Sequence, residues 1–258
     1  PDPYYRTNEN QLQWISEKTW IYSRTFTPPQ DMLRADRLLL CCEGLDTLAT
    51  VLLNGRILGR ADNMYRRWEF DITSLCKSGV NRLEIRFDSV LPYIRRREKH
   101  RHLPTWVYPG SSWVRKEPCN FGWDWGPRLI TCGIWRHIEL RAFDSARFAD
   151  VAIRQQHHAR QVNLHIHTKL QRLQKIPLVI TTRVACNGKI VGQAACVCRG
   201  DNACLNIVIK NPRLWWPNGM GDQPLYDVTI ELTDEDGHLL DVTSRRIGLR
   251  TLELHRNK

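Results

Sequence analysis

Arg82-Leu83-Glu84-Ile85-Arg86-Phe87 places charged and apolar side chains at alternating positions. Successive side chains of a β-strand point to opposite faces of the sheet, so this period of two predicts a strand with one buried face. The same alternation recurs in residues 137–142, 162–167 and 226–232. Asn54-Gly55 and Asn187-Gly188 lie between apolar runs and predict type I′ hairpin turns, in which both residues take positive φ. Long helical periodicity is nearly absent, and the chain is therefore predicted to be all-β.

Two breaks in this pattern suggest how the chain is organised. Residues 91–127 are basic and rich in Pro, Gly and Trp, which predicts a long loop whose aromatic residues pack rather than a disordered segment. A fresh set of strands begins after residues 142–150. We therefore expect two β-sandwich domains, residues 1–145 and 146–258, and only one short helix, around residues 10–17.

The composition limits the class of protein. Of the 258 residues, 42% are hydrophobic and ten are Trp, which excludes general disorder. No run approaches the roughly 18 uncharged apolar residues of a membrane span. The nine cysteines are odd in number and irregularly spaced, so they do not form a small disulfide scaffold. We therefore expect the protein to work in a reducing compartment. Because the chain opens without Met or a signal peptide, we expect it to be a piece of a longer protein.

The most informative stretch for function is residues 120–128, NFGWDWGPR. Trp123 and Trp125 flank Asp124, and Gly and Pro residues constrain the surrounding turn. Flat aromatic faces stack on the C–H face of a pyranose, and a carboxylate accepts hydrogen bonds from sugar hydroxyls. The structural alternative is a rigid loop whose Trp rings pack on the sandwich.

Other chemistry is poorly supported by the residues. The net charge of +11 and the basic run at residues 95–102 permit a polyanion ligand. No nucleic-acid motif accompanies that run, so we interpret it as a solvated loop or as partners for carboxylates. His165-Ile166-His167 lacks a third ligand at a zinc-site spacing, and we predict no metal. The sequence has no Gly-x-Ser-x-Gly elbow, phosphate loop or dinucleotide fingerprint, and no cofactor is predicted.

An ordered set of motifs covering nearly the whole chain resembles the β-mannosidases of glycoside hydrolase family 2. The set is more specific for that branch than for the β-galactosidase or β-glucuronidase relatives. Its members are Asp2-Pro3-Tyr4-Tyr5, Asn8-Glu9-Asn10, Gln13-Trp14-Ile15, Trp20-Ile21-Tyr22, Glu43-Gly44-Leu45-Asp46-Thr47, Asn54-Gly55, Asp62-Asn63-Met64, Val114-Arg115-Lys116-Glu117-Pro118-Cys119, Trp123-Asp124-Trp125-Gly126-Pro127, Gly133-Ile134-Trp135, Leu214-Trp215-Trp216-Pro217-Asn218-Gly219, Gln223-Pro224-Leu225-Tyr226 and Arg246-Ile247-Gly248-Leu249-Arg250.

The resemblance implies a galactose-binding-like jelly-roll sandwich followed by an immunoglobulin-like sandwich. A catalytic (β/α)₈ barrel would begin soon after Leu254 and carry both catalytic glutamates, so none is assigned in this chain. The family is retaining, a mechanism that places its two carboxyls about 5–5.5 Å apart. The family also has further sequence before Asp2, which implies truncation at both ends and an exposed edge or unfilled groove in the first sandwich.

The resemblance also implies a site and partners. Asp124 would accept hydrogen bonds from mannose hydroxyls, while Trp123 and Trp125 hold the loop or wall the pocket of the barrel. The expected partners are β-mannoside oligosaccharides and the chain's own C-terminal barrel, with no nucleic acid, no membrane and no cofactor. The chain alone would be inactive. A stand-alone carbohydrate-binding module is the main alternative.

The resemblance leaves the location of the protein open, because animal relatives are lysosomal and microbial relatives are often cytoplasmic. The nine cysteines favour the cytoplasm.

Overall fold

The computed structural model describes residues 2–256, and the chain divides into two compact units, Pro1–Ala142 and Phe143–Lys258. The strands that begin in the first unit are β1 Trp20–Phe26, β2 Arg37–Cys42, β3 Leu45–Asp46, β4 Leu48–Leu53, β5 Arg56–Ala61, β6 Trp68–Asp71, β7 Asn81–Asp88, β8 Gly133–Ile134 and β9 Ile138–Phe143. Those of the second are β10 Ala146–His158, β11 Gln161–Arg172, β12 Leu178–Cys186, β13 Lys189–Cys198, β14 Asn202–Lys210, β15 Tyr226–Thr233 and β16 Leu239–Ile247. The all-β prediction is confirmed.

The first unit is a sandwich of two sheets, with strand orders β1-β7-β4-β5 and β6-β2-β9. A short pair, β3 and β8, lies beside them. The alternating stretch that predicted a strand forms β7, where Ile85 and Phe87 are fully buried. They share one core with Val51 of β4 and with Leu38 and Leu40 of β2. The core therefore lies between the two sheets, as in other sandwiches.

The second unit repeats this arrangement with longer strands. Its sheets have the orders β10-β11-β14 and β13-β12-β15-β16. Leu164 and Ile166 of β11 face Ile180 of β12 and Val228 and Ile230 of β15 in a single core. Residues 162–167 and 226–232 thus lie in two strands that bury alternate side chains, as their period of two predicted.

Both Asn-Gly pairs form hairpin turns. Asn54 and Gly55 have φ of 52° and 79° between β4 and β5, and Asn187 and Gly188 have φ of 50° and 75° between β12 and β13. A type I′ turn needs two residues with positive φ, and its twist matches that of the strands it joins.

The prediction of a single helix around residues 10–17 is incomplete. That region forms helix α1, Asn8–Leu12, which continues as a 3₁₀ helix, Gln13–Glu17. A second α-helix, α2, spans Val90–His100 inside the segment predicted as a loop. The Ser89 hydroxyl oxygen caps it by accepting the Leu91 N–H at 3.2 Å, and Pro92 is tolerated because it lies in the first turn.

Helix α2 also corrects the interpretation of the basic run as a loop. Only Val90, Leu91 and Ile94 of the helix are buried, so its apolar stripe is too narrow to show in the sequence. Basic residues fill its last turn, where cations are favourable at the negative end of the helix dipole. The buried stripe packs with Val114, Phe121 and Ile130 in a small separate core. That core supports the segment that carries the predicted site.

The nine cysteines are all free thiols in the structure. Burial raises the pKa of Cys42, next to Cys41 on β2, to about 12. Among residues 2–256, no helix has the length and apolarity that crossing a membrane requires.

Candidate functional site

The tip of the Trp-Asp-Trp loop is a narrow turn. The Trp123 N–H donates to the Gly126 carbonyl at 3.0 Å, and the Gly126 N–H donates back to the Trp123 carbonyl at 3.3 Å. These reciprocal bonds leave Asp124 and Trp125 as the central residues of the turn. Side chains at these positions project from the chain, and the turn thereby presents them to solvent.

Both tryptophan rings of the tip are exposed. Trp123 is 49% and Trp125 is 80% exposed, and their ring centroids lie 6.4 Å apart at an interplanar angle of 53°. Trp125 is therefore not packed on the sandwich, whereas about half of the Trp123 surface is covered by the protein. Trp106, which is 96% exposed, lines the same groove as Trp123. Exposed aromatic faces of this kind are the usual stacking surface for sugars.

The Asp124 carboxylate is available to a ligand. Across residues 2–256 no hydrogen bond or ion pair engages it. It lines a groove of about 450 Å³ together with Trp106, Trp123, Arg128 and Glu9. A second groove, of about 540 Å³, is lined by Trp125 and by residues of the N-terminal helical segment. Either volume falls within the range of small-molecule sites.

One side of the loop base is held by Arg128. Its N–H donates to Glu9 Oε1 at 2.7 Å, and its Nε donates to Gln13 Oε1 at 2.9 Å. Gln13 Nε2 returns a bond of 2.9 Å to the Arg128 carbonyl. The guanidinium carbon also lies 5.4 Å from the Tyr108 ring centroid, within cation–π range. The helical segment of residues 8–17 therefore anchors the loop.

Gly122 is required for the chain to enter this turn. Its φ is +90°, a conformation that side chains rarely adopt, and an added Cβ would lie 3.2 Å from Arg128 Cβ. The glycine thus allows the two arms of the loop to approach each other.

The other side of the loop base rests on a buried ion pair. Lys116 Nζ lies 2.5 Å from Asp46 Oδ2, and the two side chains are 0% and 5% exposed. Burial lowers the pKa of Lys116, and the charge of Asp46 opposes that shift. Thr131 Oγ1 lies 3.4 Å from the same carboxylate oxygen. Sequence reasoning did not assign these residues to the site, although Asp46 and Lys116 belong to motifs that it quoted.

Four of those motifs meet in the first unit. Trp135 Nε1 donates to the Met64 carbonyl at 2.7 Å, and the Trp135 N–H donates to the Gly44 carbonyl at 3.3 Å. The Met64 N–H in turn donates to the Arg115 carbonyl at 3.0 Å. Residues 43–47, 62–64, 114–119 and 133–135 therefore form one connected base beneath the loop.

Two groups of side chains in the second unit carry atoms that could ligate a metal. The Asp234, Asp236 and His238 side chains bring ligand atoms within 4.8 Å of one another in the turn between β15 and β16. His238 Nδ1 is already hydrogen bonded to Asp234 Oδ2 at 2.9 Å, and exposed acidic turns commonly form such bonds without an ion. His165 Nδ1 likewise lies 2.7 Å from Asn206 Oδ1 across the sheet. We assign no metal to either group.

Comparison with known proteins places this geometry in a family. Residues 1–136 match the galactose-binding domain-like model of glycosyl hydrolase family 2, and residues 146–250 match a second model of that family. The chain is 32% identical to Beta-mannosidase B of Emericella nidulans and 32% identical to the Beta-mannosidase of Capra hircus, over 98% of its own length in each case. It spans about 31% of the length of either relative.

A solved structure gives the same result. The chain superposes on the crystal structure of a beta-D-mannosidase from Dictyoglomus thermophilum with a TM-score of 0.89 and 34% identity. The superposition covers 98% of this chain and 32% of that one. With a family model matching more than half of its residues, this chain belongs to glycoside hydrolase family 2.

Proposed function

We propose that this chain is the non-catalytic N-terminal portion of a retaining exo-β-mannosidase that hydrolyses terminal, non-reducing β-D-mannose residues. The observation that carries the proposal is the likeness to proteins named β-mannosidase over 98% of the chain, at 32% to 34% identity. The chain spans about 31% of such a relative, which leaves room for a further domain. In this proposal the two catalytic glutamates lie in that remainder, on a (β/α)₈ barrel. No cofactor takes part.

In this proposal the Trp-Asp-Trp loop helps to close the glycone subsite of that barrel. Its support is the exposure of Trp123 and Trp125 and the unengaged carboxylate of Asp124. Asp124 would accept hydrogen bonds from mannose hydroxyls, and the tryptophans would wall the pocket. A hydrogen bond between a charged group and a hydroxyl contributes about 1.5–3 kcal/mol, enough for the loop to affect turnover.

The experiment that tests the proposal is hydrolysis of a chromogenic β-mannoside by the 258-residue chain and by the parent protein from the same reading frame extended past Lys258. We expect activity in the parent only. The matched control is the same assay on a β-galactoside and a β-glucuronide, on which the parent should be at least about a hundredfold slower. An inactive parent, or activity of the short chain alone, would contradict the proposal.

A stand-alone carbohydrate-binding module is a second candidate, and the groove of about 540 Å³ favours it. Its lining includes the apolar or aromatic side chains of Trp125, Tyr4, Ile15 and Pro127, together with the polar side chain of Asn120. If the chain binds sugar by itself, titration with mannobiose should release heat, and Trp125→Ala should abolish the signal. No heat at millimolar sugar would remove this candidate.

A further inference from the structure

The buried ion pair beneath the loop has an unusual position in the chain. Asp46 and Lys116 are the buried charged side chains of the first unit within residues 2–142. Lys116 begins the segment of residues 116–131, whose tip carries Asp124, and Thr131 ends it. Both ends of the segment therefore meet the same carboxylate oxygen, Asp46 Oδ2, at 2.5 Å from Lys116 Nζ and 3.4 Å from Thr131 Oγ1.

Asp46 is itself rigidly held. It lies in β3 and pairs with Gly133 of β8, two residues beyond Thr131. Its second oxygen, Oδ1, accepts a hydrogen bond from the Thr47 hydroxyl. The single proton of the Thr131 hydroxyl can go either to Asp46 Oδ2 or to Asn120 Oδ1, which lies 3.1 Å away, and the hydroxyl oxygen accepts from Lys116 Nζ at 3.5 Å. The carboxylate thus joins a strand pair to both arms of the loop.

A buried ion pair of this kind adds little net stability, but its bonds fix the relative orientation of the groups that it joins. Removing two charges from water costs about as much as their attraction returns, so an apolar pair of similar volume is often equally stable. An apolar pair, however, has no directional bond to Thr131. The ion pair therefore restricts how the two ends of the segment are oriented, which an apolar packing contact would not do.

We propose that Asp46 and Lys116 form a positioning pair, which fixes both ends of residues 116–131 so that the Asp124 carboxylate meets a bound glycoside. The sugar-facing part of this inference rests on the proposed function. Neither residue contacts the ligand. Asp46→Asn or Lys116→Met leaves one buried partner without its counter-charge and destabilises the unit. The main test variant is therefore the double substitution Asp46→Leu with Lys116→Met.

The first test measures amide hydrogen exchange in the 258-residue chain. In the double variant, exchange of residues 117–130 should rise at least about tenfold, while the strands of the second unit keep their protection. The matched control is Arg183→Met with Glu231→Leu, which removes a cross-strand ion pair of the second unit. Unchanged exchange in residues 117–130, or an equal rise in the control, would overturn the proposal.

The second test measures kcat/KM for an aryl β-mannoside in the parent protein. In the otherwise unchanged parent, the double variant should lower kcat/KM about tenfold, mainly by raising KM. In a parent that already carries Asp124→Ala, the same double variant should lower kcat/KM by less than about twofold. Equal losses in both backgrounds would show a purely structural pair and overturn the positioning role alone. A parent that hydrolyses no β-mannoside would instead overturn the proposed function, and the sugar-facing role with it.

Discussion

The chain contains two segments with closely spaced tryptophans, and they are built in opposite ways. In the first unit, Trp123 and Trp125 stand on either side of an unengaged carboxylate, and a Cβ added to Gly126 would meet nothing within 4 Å. In the second unit, Trp215 and Trp216 are adjacent and tied into the fold. The Trp215 N–H donates to the Leu249 carbonyl, and the Trp216 N–H donates to the Asp222 carbonyl, both at 2.9 Å.

Glycines show the difference most clearly. A Cβ on Gly248 would lie 2.9 Å from Trp215 Cγ, and one on Gly221 would lie 2.8 Å from Trp216 Cδ1. Both rings thus approach a glycine backbone closely, but only Trp215 is half-buried, since Trp216 remains 46% exposed. The Arg250 guanidinium carbon also lies 4.9 Å from the Trp215 ring centroid. The contrast is therefore clearest between Trp215, which is half-buried and closely packed, and Trp125, which is 80% exposed.

The largest expected effect concerns the support of the loop. Lys116→Met leaves the Asp46 carboxylate buried without its counter-charge, and removing one partner of a buried pair costs about 3–5 kcal/mol. Urea unfolding of the 258-residue chain should show this loss in the transition of the first unit only. Lys77→Met, an exposed lysine of the same unit, is the control. A loss below about 1 kcal/mol would mean that the pair is not structurally important.

The next effect separates the two tryptophan segments directly. Trp215→Ala should cost about 2 kcal/mol because the half-buried ring fills a packed site, whereas Trp125→Ala should stay within about 0.5 kcal/mol. Thermal unfolding of the 258-residue chain, followed by calorimetry, measures both. Equal losses for the two variants would remove the structural distinction drawn above.

Enzymatic activity should instead be more sensitive to substitutions in the first tryptophan segment than in the second. Asp124→Ala in the parent protein should lower kcat/KM for a β-mannoside at least about tenfold, or about 1.4 kcal/mol of transition-state binding. Asp222→Ala, an exposed carboxylate beside the second tryptophan segment, is the matched control and should leave kcat/KM unchanged. A normally folded Asp124→Ala enzyme with full activity would remove Asp124 from the site.

The smallest expected effect concerns the half-buried Asp234 carboxylate, which has His238 as its partner, unlike Asp124. A hydrogen bond to Asp234 raises the pKa of His238 above its ordinary 6.5, and the bond from His238 lowers the pKa of Asp234. Since the folded pKa of His238 is raised, its stabilisation is complete below pH 6.5 and is lost as pH rises through the raised value. An NMR titration should show the raised pKa, and Asp234→Asn should return it to the ordinary range. An unshifted His238 in the unmodified chain would contradict this pairing.

Local sequence patterns accounted for the all-β class and for several individual strands, but not for the order of the strands in the sheets. Alternation in β7, β11 and β15 predicted strands because a half-buried strand exposes every second residue. The Asn-Gly turns were predictable because few residues accept positive φ. Helix α2 was missed since three buried residues and Pro92 do not produce a helical period.

What the sequence by itself determined is the all-β class, the two hairpin turns and the resemblance to a family. Trp123, Asp124 and Trp125 could be singled out from their residue types, and their role in substrate binding stays a prediction. Only the tertiary structure decided that the rings are exposed, that Arg128 binds Gln13, and that Lys116 lies against Asp46. These contacts join residues 70 or more positions apart. A local sequence pattern indicates which face of a strand or helix is apolar. The packing of the sheets and loops decides which side chains, distant in sequence, come into contact.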